Sequence, residues 1–168
     1  LCDSQPLCRR RRHFMVNVQI YYDSKHGNTK FVAEKIAQGL QDKGVEVNLA
    51  YVKEARLDGA VCADLVLFGA PNHMGRPSMT MKRFVEYLST ADLSATKVAV
   101  FGTYSGRVRL TDRAVKKLEA LVQEKLPNLK LVVPGLSVRV NGIKGPVVDG
   151  ELPRCVAFGR EIAVQLRV

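Results

Sequence analysis

Ser24, Lys25, His26, Gly27, Asn28 and Thr29 bring two hydroxyls, a carboxamide, two basic groups and a glycine into one short stretch. Hydroxyls and backbone N–H groups donate to phosphate oxygens. A helix starting here would add first-turn N–H groups that lack internal acceptors and carry partial positive charge. Two later stretches, Pro71-Asn72-His73-Met74-Gly75 and Thr103-Tyr104-Ser105-Gly106, are also polar and contain glycine. None of the three holds a nucleophile paired with a base or a set of metal ligands, so the chemistry they suggest is ligand binding.

The elements around these stretches explain why they belong together. Val16, Val18, Ile20, Tyr21 and Tyr22 form an apolar run before the first stretch, and Val32, Ala33, Ile36, Ala37 and Leu40 follow it at helical spacing. Gly44 is placed to end that helix. Val45, Val47, Leu49 and Tyr51 then alternate with Glu46, Asn48 and Ala50, as in an edge strand with one more deeply buried face. Leu65 to Gly69 and Val98 to Gly102 are continuous apolar runs, the pattern of central parallel strands covered on both faces. Met81, Phe84, Val85 and Leu88 mark a helix between them. A further helix from about Thr111 buries Val115, Leu118, Leu121 and Val122 and stops by Pro127.

Leu129, Leu131, Val132 and Val133 read as the last strand before Pro134. The segment to Gly150 reads as a hairpin or plain loop, and a closing helix buries Leu152, Cys155, Val156, Gly159, Ile162, Ala163 and Leu166. Alternating strands and helices predict an α/β fold with a doubly wound, parallel, five-stranded sheet in the order 2-1-3-4-5 and helices on both faces. In that order ligands bind beyond the C-terminal strand ends, at the switch between strands one and three. All three polar stretches leave C-terminal strand ends and are expected to meet there.

With 168 residues, 46% of them hydrophobic, one domain is expected. Residues 1–14 lack periodicity and read as a basic N-terminal arm outside the fold, which is expected to span 15–168. No apolar run approaches the ~20 residues of a membrane helix, and Cys2, Cys8, Cys62 and Cys155 form no Cys-x-x-Cys pair. Free thiols and a cytoplasmic location follow as expectations. The formal charge is +10, of which Arg9 to Arg12 against Asp3 supply +3, leaving +7 on the domain. That excess suits acidic partners or non-specific contact with nucleic acid or anionic lipid, and a merely solvated basic surface is as good a reading.

Ser24-x-x-Gly27-Asn28-Thr29, between a strand and a helix, resembles the phosphate-binding loop of flavodoxins. GAPNHMGRPSMTMKRFVEYL resembles their second flavin loop and FGTYSGRV the third, with the closest likeness to short prokaryotic flavodoxins and the flavodoxin domain of flavodiiron proteins. The resemblance runs from Val16 to Leu166. It implies FMN as cofactor, with its phosphate over Ser24, Lys25, His26, Gly27, Asn28 and Thr29. The isoalloxazine would lie between Pro71, Asn72, His73, Met74 and Gly75 on one side and Thr103, Tyr104, Ser105 and Gly106 on the other. Tyr104 is the candidate stacking ring, with a plain surface aromatic as the alternative. His73 and Lys25 could favour a reduced, anionic flavin, or simply face solvent.

The implied function is an electron carrier between redox partner proteins. An FMN-dependent NAD(P)H/quinone-type reductase and a basic binding module with a vestigial flavin site are the alternatives. Two departures from the family stand out, the basic charge and the absence of Trp, a residue that flavodoxins often stack on the flavin. Other chemistries fit less well. Gly69-Ala70-Pro71 replaces the aspartate of a response regulator, the Cys and Arg loop of a small tyrosine phosphatase is missing, and neither a P-loop nor a Gly-x-Gly-x-x-Gly turn follows the first strand.

Overall fold

Strand β1 (Asn17–Tyr22) sends Val18 and Ile20 to one apolar core and Tyr21 to another, all fully buried. Two cores on opposite faces of one strand require cover on both sides, which the helices supply. The computed structural model describes residues 15–57, 62–93, 95, 97–106 and 111–167. The N-terminal arm, with Cys2, Cys8 and the Arg9–Arg12 run, lies outside the described residues, as do Arg107 and Val108 of the third resembling segment.

Helix α1 (Asn28–Gln41) follows β1, then come β2 (Glu46–Tyr51), β3 (Leu65–His73), the short β4 (Arg76–Pro77) and α2 (Met79–Leu88). The chain continues through β5 (Lys97–Tyr104), α3 (Arg113–Lys125), β6 (Lys130–Leu131), β7 (Leu136–Arg139) and α4 (Leu152–Leu166). The sheet runs β2-β1-β3-β5 and then β6, with β7 also paired to β5; all these pairings are parallel. Strand β4 alone folds back antiparallel on the end of β3. The strand between β3 and the sheet edge, expected as strand four, is β5, and the expected fifth position is shared by β6 and β7.

That shared position corrects the reading of the segment after Pro134. The register steps from Val98↔Leu131 to Phe101↔Leu136, so five residues on the outer side span three on β5. Pro134 has no N–H to donate to a ladder, and the Gly135 N–H turns away to the Glu119 carboxylate of α3 at 2.6 Å. Leu136 to Arg139 then rejoin β5 as strand, and only the residues beyond them form the turn.

Helices α1 and α4 cover one sheet face, α2 and α3 the other. Gly39 and Gly159 let α1 and α4 cross closely, since a Cβ on either would overlap the backbone of the opposing helix. Ser78 caps α2 by accepting from the Met81 N–H at 3.3 Å. The edge position of β2 agrees with its single pairing, yet Leu49 is 37% exposed while Ala50 and Tyr51 pack inward. At an edge the helix layer no longer covers both faces, so strict alternation is not enforced.

Candidate functional site

At the end of β1 the Asp23 N–H donates to the Gly69 carbonyl at 2.9 Å, which carries the chain over the neighbouring strand. Gly27 then adopts φ 85° at the N-terminus of α1. No side chain caps this helix and its first turn holds no acidic residue, so its early N–H groups remain available to an anion. The Ser24 hydroxyl is buried and has no hydrogen-bond partner among the described residues. Leaving such a group unpaired costs about 1–3 kcal/mol, which an anionic acceptor would recover.

Two residues after Gly27, Thr29 of α1 meets Thr103 of β5, hydroxyl to hydroxyl, at 2.9 Å in a buried contact. The first and third polar stretches are thereby tied together. Tyr104 remains within β5, opposite Arg139, and is half-buried; Ser105 and Gly106 emerge to solvent, Gly106 at φ 100°.

The second stretch is more ordered than a loop. Asn72 and His73 belong to β3 and pair with Pro77 and Arg76 of β4 across a two-residue turn at Met74 and Gly75. Both turn residues have positive φ, 53° and 80°, the conformation of tight hairpins. The Asn72 carboxamide oxygen accepts from the Gly75 N–H at 2.6 Å and locks the turn. Met74 is thereby held 93% exposed at the tip.

A cavity of about 400 Å³ lies between these segments. Ser24, Lys25, His26, Asn28 and Thr29 line it from the first stretch, Pro71, Asn72, His73 and Met74 from the second, and Thr103, Tyr104 and Ser105 from the third. Gly27, Gly75 and Gly106 are not on its wall; they shape the turns that present the others. The fourth wall, Val140, Gly142 and Ile143, was missed by sequence reasoning. Asn141-Gly142 and Gly145-Pro146 signal a turn, but nothing local says that it leans over this cavity. It does so because the Val140 N–H donates to the Tyr104 carbonyl at 2.8 Å and Val140 bridges to Val147. Among the described residues the cavity lining contains Lys25, His26 and His73 and no carboxylate.

The flavodoxin family model matches residues 20–133 of the chain. A flavodoxin of Maridesulfovibrio salexigens is 31% identical over 148 residues, covering 86% of this chain and 94% of that protein. The chain belongs to the flavodoxin family. A flavodoxin of Aquifex aeolicus is 41% identical over a shorter stretch of 73 residues, covering 43% of this chain and 40% of that one. Among solved structures, a flavodoxin from the domain Archaea superposes with a TM-score of 0.74 at 22% identity, over 91% of this chain and all of that one, a likeness of fold.

Flavodoxins bind FMN, and the residues present fit that group. A phosphate needs donors without competing carboxylates, which the uncapped start of α1 and the unpaired Ser24 hydroxyl provide. A flat aromatic ring needs apolar or aromatic neighbours, here Met74, Tyr104 and Ile143. Among the described residues no cluster of His, Cys, Asp and Glu could hold a metal ion. No helix there is long and apolar enough to cross a membrane.

Proposed function

We propose that this chain is a cytoplasmic electron carrier that holds FMN in the cavity above the C-terminal strand ends and exchanges electrons with protein partners of acidic surface. The phosphate sits on Ser24 to Thr29. The ring lies between the hairpin at Asn72 to Gly75 and the Thr103 to Gly106 turn, with Tyr104 as the stacking partner. When bound, FMN supplies one- and two-electron transfer. The chain's own residues orient the cofactor and set its electrostatics: Lys25 and His73 carry basic groups to the cavity wall, while Met74 and Ile143 add apolar surface to it.

The observation that carries this reading is the buried Ser24 hydroxyl, without a partner among the described residues, beside an uncapped helix start in a cavity whose described lining holds no carboxylate. Titration of apoprotein with FMN and with riboflavin tests it. Quenched FMN fluorescence with markedly weaker riboflavin binding is expected, because riboflavin lacks the phosphate. Equal affinity for both, or none for either, sinks the assignment. Sustained NAD(P)H oxidation by the FMN-loaded protein with a quinone, and no protein partner, would instead favour a reductase.

A further inference from the structure

Beyond the cavity, the Met74 hairpin stands on a cationic face. The chain crosses from Met74 through Gly75 to Arg76, and a Cβ at Gly75 would lie 2.9 Å from Cδ of Arg113, so the first turn of α3 packs directly against the hairpin. Arg76 and Arg113 are exposed and Lys117 is half-buried one turn further along α3. None of the three has an ion-pair partner among the described residues. Asp112 precedes Arg113 at the helix start, and Glu119 is engaged by the Gly135 N–H. Partial desolvation, and then the charges of Arg113 and Arg76, lower the pKa of Lys117 from its ordinary value.

We propose that the exposed Met74 tip and the adjoining Arg76, Arg113 and Lys117 form the docking surface for the acidic face of a protein redox partner. The proposal rests on the flavin reading above, and adds where on the molecule the partner sits. An exposed apolar tip beside unpaired charge is the composition of a transient interface: the apolar group gives close contact, and the charges steer and orient the approach. Met74 lines the cavity wall, so a partner seated on this face stands next to the group that the cavity holds. Among the described residues the patch carries no aromatic platform on which bases could stack, which favours protein over nucleic acid.

The test uses the isotope-labelled, FMN-loaded full chain titrated at low ionic strength with cytochrome b5, an acidic haem protein, and separately with a single-stranded oligothymidylate. FMN loading is read first from visible absorption. Cytochrome b5 is expected to shift the backbone resonances of residues 74–76 and 113–117. Arg76→Gln with Lys117→Gln is expected to weaken binding about three- to tenfold. Lys43→Gln with Lys130→Gln removes the same charge at the opposite end of the strands and should leave binding unchanged. The proposal is overturned if the shifts map elsewhere, if both double variants weaken binding equally, or if the oligothymidylate binds the same residues more tightly than cytochrome b5. Failure to take up FMN removes the flavin reading and the docking proposal with it; uptake of FMN with unshifted patch resonances removes the docking proposal alone.

Discussion

The hydroxyls of Thr29 and Thr103 meet at 2.9 Å, both residues nearly inaccessible to solvent. This contact joins the start of α1 to the end of β5 and so fixes the spacing between the proposed phosphate and ring ends of the site. Thr103→Val preserves shape but leaves the Thr29 hydroxyl unpaired. A loss of about 1–3 kcal/mol in urea unfolding is expected, with weaker FMN binding in the same variant. An unchanged unfolding midpoint and slope would show that the contact contributes nothing.

Ser24→Ala separates binding from folding. Its hydroxyl has no partner among the described residues, so its removal should raise apoprotein stability, by up to about 1–3 kcal/mol. FMN affinity should fall by about 1.5–3 kcal/mol, roughly tenfold or more, if the hydroxyl donates to a charged acceptor. Riboflavin affinity should not move. Calorimetry with the two ligands reads both effects.

Gly27→Ala isolates a backbone effect, because a Cβ at this position meets nothing within 4 Å. What it meets is φ 85°, disfavoured for an L-residue by about 1–2 kcal/mol. Thermal unfolding should show that loss. FMN binding should weaken as well, since relief of the strain would turn the first N–H groups of α1 away from the loop.

Gly39→Ala sets two effects against each other. Alanine favours an exposed helix by about 1 kcal/mol over glycine, but here its methyl would press on the α4 backbone, which cannot rotate out of the way. Overpacking of about 1–3 kcal/mol is expected to win. Gly150→Ala, where a Cβ has open space, should be neutral or mildly stabilising by the same denaturation assay.

Burial, followed by the Glu151 charge, pushes the Cys155 thiol up to about 11 from an ordinary 9.0. The unfolded chain therefore ionises first, and the folded chain keeps its proton, so this group's contribution to stability falls as pH rises from about 9 to about 11. Cys155→Ala should lower stability overall by leaving a small cavity, yet flatten the decline across that window. An unaltered slope would assign the alkaline loss to other groups.

Much of the fold was legible because its signals are local. Continuous apolar runs at Leu65 to Gly69 and Val98 to Gly102 require cover on both faces, and the weaker pattern of β2 marks an edge. The three polar stretches were legible for a related reason: each leaves a C-terminal strand end, and the strand order brings those ends together. The break in the fifth strand was less visible. Pro134 signals an interruption, but the return of Leu136 to β5 depends on a bond between Gly135 and Glu119 that no local pattern encodes.

By itself, then, the sequence determined the alternation of elements, the sheet order and the identity of an anion-ready loop, because periodicity and turn chemistry act between near neighbours in the chain. Only the tertiary structure decided that Ile143 lines the cavity and that Arg113 packs beneath Gly75. Those placements follow from contacts between segments tens of residues apart, where the register of the sheet and the seating of the helices, rather than residue type, set which side chains meet.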